Sequence, residues 1–78
     1  MKELIEFIAT SLVEDPSQVK VVQERRGGQF VVRLHVAKED MGRVIGKNGR
    51  VANAMRTLLR VAAAQDGKRA ILDVEDPR

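Results

Sequence analysis

Gly42-Arg43-Val44-Ile45-Gly46-Lys47-Asn48-Gly49-Arg50 is the stretch on which the reading of this chain turns. Gly46 and Gly49 bracket two polar residues, and apolar residues at helical spacing lie on both sides. Glycine lets the backbone turn tightly and lets a ligand come close, because no Cβ stands in the way. Lys47 sets a positive charge at the tip. The apolar-periodic segment that begins at Arg50 puts a helix start beside the loop, with free N–H groups and a partial positive charge. Loop, lysine and helix start together suit one phosphate or several in succession.

Working outward, Arg50 to Gln65 reads as the longest helix, with Val51, Met55, Leu58, Leu59 and Ala62 as its buried stripe and Asn53, Arg56 and Arg60 off it. Asp66-Gly67 is a helix stop with glycine at C′. Ala70 to Glu75 reads as a strand with Ala70, Leu72 and Val74 inward, and Pro77 as the stop after it. On the other side of the loop, a short helix over Glu39 to Ile45 is expected, capped near Lys38 to Asp40.

Before that helix, Gln29 to Ala37 alternates, with Phe30, Val32, Leu34 and Val36 on one face and Val31, Arg33 and His35 on the other. Gly27-Gly28 joins it to a β-branched run, Gln18 to Arg26, as a hairpin. Lys2 to Val13 reads as a helix on Leu4, Ile5, Ile8 and Leu12, ended by Asp15-Pro16. The order is α-β-β-α-α-β, an α+β arrangement with no linker, internal repeat or low-complexity segment.

The 78 residues suffice for one domain over 1–78, with a core that is marginal at this length. There is no cysteine, so no disulfide and no thiolate metal site. No signal peptide and no membrane-length apolar run is visible, and a cytoplasmic location is expected. The net charge is +3 and the pI about 9.8. From Met41 to Arg60 the charged residues are Arg43, Lys47, Arg50, Arg56 and Arg60, without an acid among them, while acids collect toward both ends. A solvated helix face usually mixes signs, so this distribution points to a basic binding face.

Other chemistry is poorly served. The run from Gly42 to Asn48 has three residues between its glycines where a phosphate-binding P-loop needs four, and Asn48 stands where a Ser or Thr would hold Mg²⁺. His35 has no second histidine or cysteine with which to share a metal. No nucleophile–base pair is visible, so no enzyme and no cofactor is expected. Phe7 and Phe30 are the only aromatics, too few for a base-stacking platform.

Val44-Ile45-Gly46-Lys47-Asn48-Gly49 resembles the V-I-G-x-x-G signature of the KH (K-homology) domain. A β-α-α-β core over about 29–75, with the GxxG between its helices and an extra helix and strand before it (about 2–26), is similar to the type II KH domain. That implies a three-stranded sheet packed against three helices. Gly42 to Arg50 together with Arg56-Thr57-Leu58-Leu59 resembles the KhpA group of small bacterial RNA-binding proteins. KH loops clamp the backbone of about four nucleotides of single-stranded RNA, with the bases in an apolar groove. Carried over, Gly46 and Gly49 let the phosphates approach, Lys47 and Asn48 contact the backbone, Ile45 and Ala52 line the groove, and Arg43 and Arg50 add charge. Asn53, on the polar side of the following helix, joins the set. Ala52 is smaller than the aliphatic residue many KH domains carry there, so base preferences are not carried over.

The resemblance further implies an RNA chaperone or post-transcriptional regulator that self-associates. It also implies pairing with a second KH-containing protein of the KhpB type, and a bearing on cell shape and cell-wall biogenesis. The rival is a KH fold that acts mainly as a protein-interaction module through homo- or heterodimerisation. The role of Arg56 and Arg60 is left open, between an RNA-facing ridge and a solvated helix face.

Overall fold

A computed structural model describes residues 1–75, so the stop assigned to Pro77 lies outside the described residues. The elements are α1 (Lys2–Leu12), β1 (Lys20–Arg26), β2 (Gln29–His35), α2 (Met41–Ile45), α3 (Arg50–Gln65) and β3 (Arg69–Val74), which gives the expected α-β-β-α-α-β order. Short 3₁₀ turns at Pro16–Gln18 and Lys38–Asp40 lead into β1 and α2. The first of these moves the start of β1 from Gln18 to Lys20. Pro16, with φ preset and no N–H to donate, opens a turn in which Gln18 N–H donates to the Asp15 carbonyl at 3.2 Å. The second turn likewise delays α2 from Glu39 to Met41.

The sheet runs β1-β2-β3. β1 and β2 pair antiparallel from Lys20↔His35 to Arg26↔Gln29, which leaves Gly27-Gly28 as a two-residue turn. Gly27 takes φ +59° and Gly28 does not, the sign pattern of a type II′ hairpin turn. β3 joins the far side of β2 in parallel, from Gln29↔Arg69 to Leu34↔Val74. A parallel neighbour needs a crossover, and α2, the loop and α3 supply it. Strand alternation turns Val21, Val32, Leu34 and Leu72 toward the helices, where they meet Ile5, Ala9, Val44, Met55 and Leu59 in one buried cluster. Each large aliphatic among them contributes about 1.5–3 kcal/mol by leaving water. The opposite sheet face carries no helix.

Two expected core residues fall outside the core. Leu58 is 48% exposed, and Leu12, at the last turn of α1, is also exposed. The buried stripe of α3 is instead Ala52, Met55, Leu59 and Ala63. It is rotated toward two alanines, whose small side chains let this helix lie close on its neighbours. A reading weighted toward large aliphatics turns the stripe the wrong way. The far end of α3 closes as expected: Gly67 takes φ +66°, Gly67 N–H donates to Ala64 O at 3.0 Å, and Lys68 N–H to Ala63 O at 2.9 Å. This is the paired-bond Schellman stop.

Candidate nucleic-acid interface

The loop between α2 and α3 is a turn built on left-handed backbone. Gly46 has φ 76° and ψ 172°, Asn48 φ 58° and ψ 25°, and Gly49 φ 74° and ψ 14°. Asparagine is among the few side chains that visit the left-handed region readily, so the residue types follow the geometry. Gly46 N–H donates to Gly42 O at 2.9 Å to end α2, and Gly49 N–H donates to Gly46 O at 3.1 Å to close the turn.

The two glycines are required for different reasons. Gly46 sits in a region open essentially to glycine alone. A Cβ there would also fall 2.5 Å from Val51 Cγ2 and 2.9 Å from the Val51 backbone nitrogen. A Cβ on Gly49 would meet only Asn53 Nδ2, at 3.7 Å, so there the backbone angle alone makes the demand. Val51 was not among the expected site residues. Its position five residues after Gly46 on the next helix is the signal that could have found it.

Lys47, Asn48, Arg50 and Asn53 are exposed around this turn, and Ile45 is exposed just before it. No side chain caps the start of α3. Ala52 is 4% exposed and turns into the core, so its methyl does not line an open groove.

Arg43 also departs from its expected place. Its Nη2 lies 2.6 Å from Glu14 Oε1 and its Nε 3.3 Å from Asp40 Oδ1, so its charge is already paired. Asp40 is buried and accepts the Glu14 N–H at 3.0 Å and the Asp15 N–H at 3.1 Å. The Glu14 N–H above all, then that of Asp15 and the Arg43 guanidinium, hold the Asp40 carboxyl below its ordinary range against the opposing effect of burial. The acid-free run from Met41 to Arg60 therefore holds one exposed cation, Arg43, that is paired with acids from outside the run.

Gly49, Asn53, Arg56 and Arg60 recur at spacings of four, three and four and so share one side of α3. Arg56 Nη1 donates to Asn53 Oδ1 at 3.1 Å. At the far end of this line Arg60 borders a cleft with Ala70 and Ile71 of β3. The side of α3 that leaves the loop is thus a polar, basic ridge beside the edge strand. Among the described residues no group of three or more His, Cys, Asp or Glu could hold a metal ion, and no helix is long and apolar enough to cross a membrane.

Three comparisons bear on this arrangement. A family model described as KhpA/KhpB, KH domain, matches residues 2–74. A Clostridium acetobutylicum protein named RNA-binding protein KhpA is 45% identical over 74 residues, 95% of this chain and 99% of its own length. Proteins of the same name are 44% identical over 75 residues in Treponema pallidum and 42% identical over 76 in Halalkalibacterium halodurans. They cover 96% and 97% of this chain and 94% and 100% of their own. No solved structure matches.

Proposed function

The chain belongs to the KhpA/KhpB KH-domain family, and from that premise we propose that it is a single-stranded RNA-binding protein that grips the RNA backbone through its GxxG loop. The name its relatives carry, RNA-binding protein KhpA, supports RNA as the ligand. The observation that carries the reading is the loop backbone. Positive φ at Gly46, Asn48 and Gly49 turns the chain so that Lys47 and Asn48 stand exposed at the uncapped start of α3. Phosphates can then approach glycine backbone, lysine charge and helix start at once. The bases would follow the α3 ridge, where Asn53 and Arg56 already share a hydrogen bond. The family is one of RNA-binding KH proteins and not of enzymes. The role that follows is that of a cytoplasmic RNA chaperone or post-transcriptional regulator.

Self-association, and pairing with a second KH-containing protein of the KhpB type, belong to the same proposal. They find support in large apolar side chains that the helices leave in water, Phe7 at 71% exposure and Val61 at 56%. Those residues also favour the second reading, a protein-interaction module.

Replacing Lys47→Asp together with Asn48→Asp separates the two readings. Both sites are exposed, so stability should change by no more than about 0.5 kcal/mol. Two negative groups would then face phosphate, and RNA affinity should fall at least about tenfold, or about 1.4 kcal/mol. A folded double variant that titrates RNA like the parent would remove the loop from the binding site.

A further inference from the structure

The end of the molecule away from the loop gathers cations from segments far apart in sequence. Arg26 pairs with Gln29, and Gln29 with Arg69, in register across the three strands. In-register neighbours share a face, so the two arginines flank Gln29 on the side of the sheet that no helix covers. Two strand spacings separate them, about 10 Å. They line a cleft of about 350 Å³ between the β1–β2 turn and the turn that ends α3. A second cleft of about 370 Å³ wraps the β3 edge and adds Arg60 and Lys68.

Neither cleft has an acid in its lining. Among the described residues only Arg26 of the four has an ion-pair partner, an exposed contact to Glu24 at 3.2 Å. Exposed pairs of that kind hold a side chain weakly. Basic residues next to turns usually serve solvation, but they are then interspersed with acids. Here four cations from β1, α3, the following turn and β3 converge on two adjoining clefts.

We propose that Arg26 and Arg69, with Arg60 and Lys68 at the sheet edge beside them, form a second phosphate-binding site that takes the same RNA strand beyond the nucleotides gripped at the loop. α3 joins the two sites. It begins at the loop, spans about 24 Å, and delivers Arg60 to the second cleft with Arg56 one turn before it. RNA that runs along this ridge meets positive charge at both ends, and the footprint exceeds the four nucleotides of a loop clamp alone. The proposal rests on the loop reading above.

The test titrates a fluorescent pool of random-sequence single-stranded RNA, about twelve nucleotides long or three times the loop's reach, into four proteins. These are the parent, Arg26→Ala with Arg69→Ala, Lys47→Asp with Asn48→Asp, and Lys2→Ala with Lys20→Ala, the last removing the same charge elsewhere. The arginine pair should bind at least about fivefold more weakly at about 0.1 M salt, and its salt slope should be shallower by about 1.4. The lysine control should stay within twofold of the parent, a margin of about 0.4 kcal/mol.

Parent-like affinity and slope in the arginine pair, or an equal loss in the lysine control, would overturn the proposal. If instead the loop variant binds like the parent while the arginine pair is weakened, the loop reading fails, and with it the proposal of one strand shared between two sites, leaving the arginine cluster as an RNA site on its own. Should the arginine pair melt early, Lys68→Ala with Arg69→Ala asks the same question, and Arg26→Lys with Arg69→Lys should keep the affinity.

Discussion

At the scale of single residues, Gly46 and Gly49 look equivalent in sequence and differ in structure. Alanine at Gly49 must adopt a left-handed angle and nothing else, which costs about 1–2 kcal/mol. Alanine at Gly46 must adopt a scarcer conformation and also displace Val51, for about 2–5 kcal/mol in all. Urea unfolding should rank Gly46→Ala well below Gly49→Ala; equal losses would contradict the geometry. Gly46→Ala with Val51→Ala should recover part of the deficit, since the clash is with the Val51 side chain as well as its backbone. The sequence made both glycines legible as turn residues, because the demand for positive φ is local. It did not make Val51 legible, because the close approach depends on how sharply α3 leaves the loop.

At the scale of elements, the limits of α3 could be read closely, since a glycine marks each end and both adopt positive φ. Which face it buries could not, because Ala52 and Ala63 owe their burial to the closeness of neighbours and not to hydrophobicity of their own. The direction of β3 was equally hidden: alternation in Ala70, Leu72 and Val74 says which face is inward and nothing about parallel or antiparallel pairing. Arg43 read as a loop cation because its partner Glu14 lies 29 residues away.

That contact belongs to a fastening between the exit of α1 and the start of α2, centred on Asp40. Its folded-state pKa lies below the unfolded one, so its stabilisation is fully present above the unfolded value, about 3.9, and is lost as the pH falls through the lower folded value. Asp40→Asn should therefore melt below the parent at neutral pH, with the gap closing as the pH falls below about 4. A gap independent of pH would mean that the carboxylate charge is not what fastens the two elements.

At the scale of the whole molecule, the family fold was legible from one loop in its setting of elements, and the matched family model spans residues 2–74. The basic cluster at the hairpin end was not, because Arg26, Arg60 and Lys68-Arg69 meet only once the strands are in register. A chain this short, without disulfide or metal, often gains burial by association. Sedimentation should accordingly reveal a concentration-dependent dimer. Leu58→Glu, at a half-exposed position on α3, should shift it toward monomer with little change in melting temperature. A parent that stays monomeric at high micromolar concentration would rule self-association out.

The parallel pairing of β3 also sets an order of events during folding. The β1–β2 hairpin closes over two residues and can form within about 1–10 μs. The β2–β3 pairing must instead draw together Gln29 and Arg69, with α2, the loop and α3 all held in the intervening chain. Closing that long segment costs chain entropy before any strand contact rewards it. The GxxG turn therefore lies inside the segment that the β2–β3 pairing closes, the costliest closure in the sheet. A chain emerging during synthesis has its loop residues complete well before the residues of β3 that fix them.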